Sequence, residues 1–283
     1  MYSGTTFHNL SGNFVGTHQK INRVARKKLA GLTSLSHFPN NRLLLHFEGR
    51  NGPDGIKAKS PGQNEPWHFY DPFDPGDGEI LKDINSHYGK MVVKLKAGDM
   101  EKAAFEAAWL SHALVDGLTP AHHFPFEEEL ASLRLGEGND TRISLKDKIS
   151  AKGNTKREKL KNNWLMWGAK GLMTTHALFE GGVAAVVAPL TFRRLSITKA
   201  DVKHVREIGL EEYFKRMARE VALLNMYENF YRSGWTTKLA RQTRDELMPR
   251  IIKTVACAWY LALQDAGLVT RESHARRWRQ SKG

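Results

Sequence analysis

The stretch Trp109-Leu-Ser-His112-Ala-Leu-Val-Asp116-Gly-Leu-Thr-Pro120-Ala-His122-His123 reads as the end of a helix running from about Asp99 to Leu118, stopped by Thr119-Pro120. Phe105, Trp109, His112 and Asp116 fall at i, i+4, i+7 and i+11 and therefore share one helix face. That face begins apolar and ends with an imidazole and a carboxylate one turn apart. Burying both without a partner is costly, and a bound cation offsets that cost better than most neighbours. A His and an Asp at i, i+4 aim two good divalent-metal ligands at one point. His122 follows just past the proline, where the chain can turn back towards the helix end. A lone His-x3-Asp is commonplace and usually marks a satisfied core histidine beside a capping carboxylate. The full spacing His-x3-Asp-x3-Pro-x-His is much rarer, and it points to metal.

The 283 residues, 41% of them hydrophobic, suffice for a substantial core. No apolar run approaches the length of a membrane span; the longest, Gly181 to Leu190, is interrupted at Pro189. The N-terminus lacks the basic and apolar regions of a secretory signal, which fits a cytoplasmic location with secretion by another route left open. A single cysteine, Cys257, rules out an internal disulfide and fits a reducing compartment. A net charge of +13 favours anionic partners such as phospholipid headgroups, nucleic acid or other phosphates. There is no Walker loop, no dinucleotide fingerprint and no Cys-x2-Cys pair.

Helical periodicity recurs along most of the chain and predicts an all-α protein. Residues 1–16 read as an extended segment, 17–266 as one multi-helix domain, and 267–283 as a basic tail. Helices are expected from Thr17 towards Leu32, from Asp77 to Lys96 as an antiparallel partner of the motif helix, and from Lys156 to Glu180. Gly181-Gly182 and Pro189 should then break the chain. Three further helices are expected over Lys199–Ile208, Leu210–Tyr231 and Thr236–Ala266, the last disturbed at Pro249. The polar stretch at about 136–161 carries Lys146, Lys148, Lys152, Lys156, Arg157, Lys159 and Lys161 with little periodicity, and reads as an inserted mobile loop with a helical end. Asp71, Asp74 and Asp77 read as a solvated loop.

The motif His112-Ala-Leu-Val-Asp116-Gly-Leu-Thr-Pro120-Ala-His122 resembles the core signature of the zinc-dependent phospholipase C family. It is more distantly similar to the single-strand-specific zinc nucleases of the same fold. The segment Pro66-Trp-His68-Phe-Tyr-Asp-Pro-Phe-Asp-Pro also resembles the phospholipase branch. So does Thr17-His18-Gln-Lys-Ile-Asn-Arg-Val, with a His in the first turn of the first helix. The resemblance covers roughly residues 17 to 180 and implies an all-helical zinc phospholipase C-like domain holding two or three Zn²⁺. It implies that Asp54, His68, His112 and Asp116 hold one ion, and that His122, His176 and Glu180 hold a second. Here His176-Ala-Leu-Phe-Glu180 is the expected His-x3-Glu, lying 54 positions after His122 because of the basic insertion. His123 is a rival for His122, and the family spacing favours His122. A third ion would take His18 and Asp116. In the family it also takes an N-terminal Trp, whereas this chain has no Trp before Trp67, leaving His8 as a substitute.

All these donors are nitrogen or carboxylate oxygen, which suits Zn²⁺ and excludes a thiolate site. The implied activity is phosphoric diester hydrolysis by metal-activated water, of the phospholipase C type, with Asp54 as a general base. The expected substrate is a phospholipid or another phosphodiester, and contact with an anionic membrane surface would be peripheral. Two alternatives stand beside it. One is a nuclease or phosphodiesterase on single-stranded nucleic acid, which the charge permits. The other is an inert, metal-stabilised helical binding protein. Oligomeric state is open.

Overall fold

The computed structural model describes residue 1 and residues 16–49, 51–57, 60–62 and 65–269. His8 and Trp278, with the arginines around it, lie outside the described residues. Every regular element among the described residues is helical. None of these helices is long and apolar enough to cross a membrane. Among the described residues the first helices are α1 (Thr17–Leu29), α2 (Asn41–Glu48) and the short α3 (Pro53–Lys57). Next come α4 (Glu79–Lys96) and the motif helix α5 (Met100–Gly117).

α4 and α5 form the expected antiparallel hairpin, and the sequence Ala97-Gly98-Asp99 shows why. Gly98 takes a left-handed φ of +70° that closes α4, and Asp99 caps α5 by accepting from the Lys102 N–H at 3.1 Å. From Ala103 onwards α5 is buried nearly all round, and its small residues Ala104, Ala107 and Ala108 let neighbours approach closely. Against it lies α14 (Met248–Asp265), whose Trp259 is fully buried and donates its indole N–H to the Ala107 carbonyl at 3.1 Å. Truncating a side chain of that size in a packed core costs about 3–5 kcal/mol. α5 therefore has a rigid bed, and His112 and Asp116 are fixed in the interior.

After α5 a 3-10 turn, Pro120–His123, leads to α6 (Phe126–Ser132), α7 (Leu145–Ile149), α8 (Lys156–Trp167) and α9 (Leu172–Val187). The expected continuous helix from Lys156 to Glu180 is thus two helices. Gly168 and Gly171 stand at the break, where a Cβ would lie 2.6 Å from the Trp164 carbonyl oxygen and 2.7 Å from the Met166 carbonyl, respectively. Conversely, α9 runs straight through Gly181-Gly182, where a break was expected. Gly182 is there for contact rather than for a turn: a Cβ on it would overlap the Trp235 indole at 1.8 Å.

The basic stretch 136–161 is more regular than periodicity suggests. It holds a 3-10 turn at Asn139–Thr141, α7 and the start of α8. Polar contacts fasten it. A Ser144–Asp147 capping box starts α7, the fully buried Arg134 donates to the Ser150 carbonyl at 2.7 Å, and Arg142 pairs with Glu127 at 2.7 Å. Periodicity registers only apolar contacts, so it could not see this.

The rest is α10 (Lys199–Ile208), as expected, then α11 (Leu210–Ala222), α12 (Met226–Ser233), α13 (Thr237–Gln242) and α14. The expected single helix Leu210–Tyr231 is interrupted at Asn225, whose φ of 51° is a left-handed conformation that asparagine tolerates. The disturbance expected near Pro249 is a π-helical turn, Thr243–Leu247, just before it. Asp71, Asp74 and Asp77 each accept a backbone N–H within their own loop, consistent with a turn built by aspartates.

Candidate metal centre

Six segments bring the site together around Asp116. α1 presents His18 in its first turn, and α5 presents His112 and Asp116 one turn apart. α3 carries Asp54 close behind α2, because Gly52 packs where a Cβ would lie 2.5 Å from the Phe47 carbonyl oxygen. The loop at His68 is pinned to the 3-10 turn by a reciprocal pair. The Tyr70 N–H donates to the His122 carbonyl at 3.0 Å, and His122 Nδ1 donates back to the His68 carbonyl at 2.9 Å. α9 contributes His176 and Glu180. All eight residues read from the sequence thus lie in one cluster, which draws on positions 18 to 180.

Asp116 is 1% exposed and lies at its centre. Its Oδ1 is 3.1 Å from His18 Nε2 and 3.5 Å from His122 Nδ1; its Oδ2 is 2.6 Å from His68 Nδ1 and 3.0 Å from His112 Nε2. Glu180 Oε1 sits 3.0 Å from His122 Nε2 and 3.1 Å from His176 Nε2. The His122 and His176 rings stack at 5.2 Å, and His18 stacks on His112 at 4.3 Å. Asp54 is at the rim, 26% exposed, with Oδ1 3.8 Å from His112 Nε2. His123, the rival, turns away and meets the Gly117 carbonyl at 2.9 Å.

Two participants were not anticipated from the sequence. Glu48, the last residue of α2 and fully buried, accepts from His112 Nδ1 at 2.8 Å and from Asn22 Nδ2 at 3.2 Å, and lies 3.3 Å from His18 Nδ1. Ser111 supports the pair by donating to Asn22 Oδ1. The second is the α-amine of Met1, 3.0 Å from both Asp116 Oδ1 and Glu180 Oε1. A signal for Glu48 existed: it falls four residues after the buried Leu44 and so places a carboxylate on the apolar stripe of α2. For Met1 no side-chain pattern could have served.

The electrostatics follow from burial and crowding. Burial opposes charge on Asp116, yet the Met1 ammonium, His112, His122 and His18 hold its carboxyl well below the usual range. Glu180 is likewise held well below by Met1 and His176 against its burial. His112, though buried, is raised well above an ordinary imidazole by Asp116 and Glu48. Burial, reinforced by the Met1 ammonium, pushes His122 down to about 3. Burial works against the Met1 ammonium, but Asp116 and Glu180 raise it to about 10. Asp116, Glu180, Glu48 and Asp54 are all held below the usual carboxylate range, and the Met1 ammonium and the raised His112 supply positive charge against them.

The donor set fits a divalent ion. Asp54, His68 and His112 form one group, and His122, His176 and Glu180 another. Within each, the ligand atoms lie within 4.8 Å of one another, so small side-chain adjustments would bring them to the distance of about 2 Å that one ion requires. His18, Glu48 and His112 meet the same distance. However, Glu48 takes the Nδ1 proton of His112, so it is placed to orient that imidazole. Tautomers agree with that division. Asp116 engages His68 Nδ1 and the His68 carbonyl engages His122 Nδ1, leaving the Nε2 atoms of both rings to point inward. The buried Nε2 atoms of His68 and His112, Nδ1 of His176 and both ring nitrogens of His18 make no well-formed hydrogen bond. Orphaned imidazole nitrogens facing carboxylates are what metal ligands look like without their ion.

Comparison of the chain with protein-family models, with curated proteins and with solved structures found no match.

Proposed function

We propose that this chain is a metal-dependent phosphodiester hydrolase of the zinc phospholipase C type. The observation that carries the reading is convergence. Eight residues drawn from six segments converge on one cluster centred on Asp116; Asp54, His68 and His112 form one candidate group and His122, His176 and Glu180 another, and Nε2 of both His68 and His112 lacks a hydrogen-bond partner. Zn²⁺ bound by Asp54, His68, His112 and Asp116, and by His122, His176 and Glu180, would supply Lewis acidity towards phosphate oxygens and lower the pKa of water to about 7.

The chain's own groups divide the remaining work. Glu48, Asp116 and the His68 carbonyl hold the rings in their tautomers. Asp54 stands at the rim, 26% exposed, where the charges of His112 and His68 outweigh its burial and keep it ionised, and this position makes it the carboxylate placed to act as general base. A cavity of about 540 Å³ opens beside the second group, lined by Phe124, Leu165, Leu172, Thr175, Tyr227 and Tyr231 among others. Thr175 immediately precedes His176. The Tyr227 phenol is raised first by burial and then by Glu180, which marks how near the two are. A mostly apolar cavity at this position suits the non-phosphate part of an amphipathic substrate.

The net charge of +13 supports single-stranded nucleic acid as a second substrate reading. Metal analysis of the wild type and His112→Ala, each assayed on phosphatidylcholine and on single-stranded DNA, tests the proposal. Two or three zinc per chain, lost together with phospholipid cleavage in the variant, is the expected result. Cleavage of DNA alone would move the reading to a nuclease. Stoichiometric zinc without hydrolysis of either substrate would leave a metal-stabilised binding protein, and neither metal nor hydrolysis would sink the proposal.

A further inference from the structure

The basic insertion presents a surface that the metal centre does not explain. On α8, Leu160, Trp164 and Trp167 fall at i, i+4 and i+7 and point to solvent, Leu160 being 74% and Trp164 70% exposed. Beside them α7 exposes Leu145 (63%) and Ile149, preceded by Ile143 (72%). The two helices form one face, because the Trp167 indole N–H donates to the Ile149 carbonyl at 2.7 Å. Met166 of α8 and Ala151, just after α7, belong to a small separate core with Phe126 and Leu130. The buried Arg134 guanidinium, bonded to the Ser150 carbonyl, fastens the end of α7. These large apolar side chains are therefore held outward on an anchored support.

Cations share the face. Lys156 and Arg157 lie one turn before Leu160 on the same side of α8, and Lys159 and Lys161 flank it. All four are exposed, and among the described residues none of them forms an ion pair. Other basic residues of the insertion are already paired, such as Lys148 with Glu65 and Lys152 with Glu137.

We propose that the α7–α8 face is a docking surface for an anionic lipid bilayer, with Leu160, Trp164, Leu145 and Ile149 entering the interface and the α8 cations meeting lipid headgroups. Tryptophan suits the boundary between headgroups and acyl chains, and lysines with apolar stems reach the phosphate layer. The charge pattern selects this occupant over others. A second copy pairing through the same face would set the lysines against one another. Single-stranded nucleic acid requires stacking partners, and four of the six large apolar side chains are aliphatic. The surface stands on its own residues and would hold even if the metal cluster were inert.

Flotation of the full-length protein with phosphatidylcholine vesicles, with and without phosphatidylserine, is the test. It is run in chelator so that binding is measured apart from hydrolysis. Expected are salt-sensitive binding only when phosphatidylserine is present, and brominated-lipid quenching that is diminished in Trp164→Ala. Charge reversal at Lys156, Lys159 and Lys161 should weaken binding at least tenfold, since each juxtamembrane cation is worth about a fivefold factor. Leu160→Ser with Trp164→Ala should weaken it comparably. All these positions are exposed, and unchanged thermal melting would certify the fold. His112→Ala should bind vesicles like the wild type, so failure of the hydrolase reading leaves this result untouched. Absence of binding to phosphatidylserine vesicles, or binding that neither variant alters, would overturn the proposal. So would a concentration-dependent dimer abolished by Leu160→Ser with Trp164→Ala. Tighter binding to single-stranded DNA, lost on charge reversal while vesicle binding persists, would overturn it too.

Discussion

Glu48 is a carboxylate with no access to water, sharing its oxygens among His112, His18 and Asn22. Its work is done through the imidazole: accepting the Nδ1 proton turns Nε2 of His112 inward and raises its basicity. Glu48→Gln preserves the shape and removes the charge. It should weaken zinc binding about 10–100-fold with helix content unchanged. Competition with a chromophoric chelator measures this, and an unaltered zinc affinity would show that Glu48 merely fills space. His112 and Asp116 were legible because both stand on one helix, where spacing converts directly into geometry. Glu48 is 64 positions from His112, and nothing local in α2 names its partner.

The adjacent glycines of α9 give a test with opposite signs. Gly181 has open space where a Cβ would go, whereas a Cβ on Gly182 would overlap the Trp235 indole. That indole cannot easily yield: it stacks on Phe179 at 5.6 Å and donates to the Leu178 carbonyl at 3.1 Å. Gly182→Ala should therefore destabilise the protein by about 1–3 kcal/mol. Gly181→Ala should stabilise it by roughly 0.5–1 kcal/mol, by removing a flexible residue from a helix interior. Thermal melting of both variants checks this, and equal shifts would refute the assignment of Gly182 as a packing residue. The pair also explains the misread helix end after Glu180. Glycine in a sequence signals either a turn or a close approach, and only the neighbour decides which.

Loading the centre would tie α1, α3, the His68 loop, α5, the 3-10 turn and α9 to common ions. At a free-metal concentration of about 100 times the dissociation constant, linkage adds roughly 2.7 kcal/mol. At about 2–4 °C per kcal/mol for chains of this size, chelation should lower Tm by roughly 5–10 °C. Calorimetry with and without chelator measures the drop in the wild type. The same chelator should leave His112→Ala nearly unmoved, and an equal drop in both proteins would place the effect outside this cluster.

By itself the sequence determined that the regular elements of the described residues are helical, that α4 and α5 form a hairpin around Gly98-Asp99, and that His112, Asp116 and His122 lie together at one end of α5. Each of these follows from spacing along a single segment, where 3.6-residue periodicity and turn residues act locally. Only the tertiary structure decided that Glu48 orients His112, that the Met1 amine lies between Asp116 and Glu180, and that Gly182 receives Trp235. It alone also set the apolar side chains of α7 and α8 facing outward beside unpaired lysines. Those arrangements depend on contacts between segments far apart in the chain. Their geometry is fixed by packing around α5 and α14, which no local pattern of residues encodes.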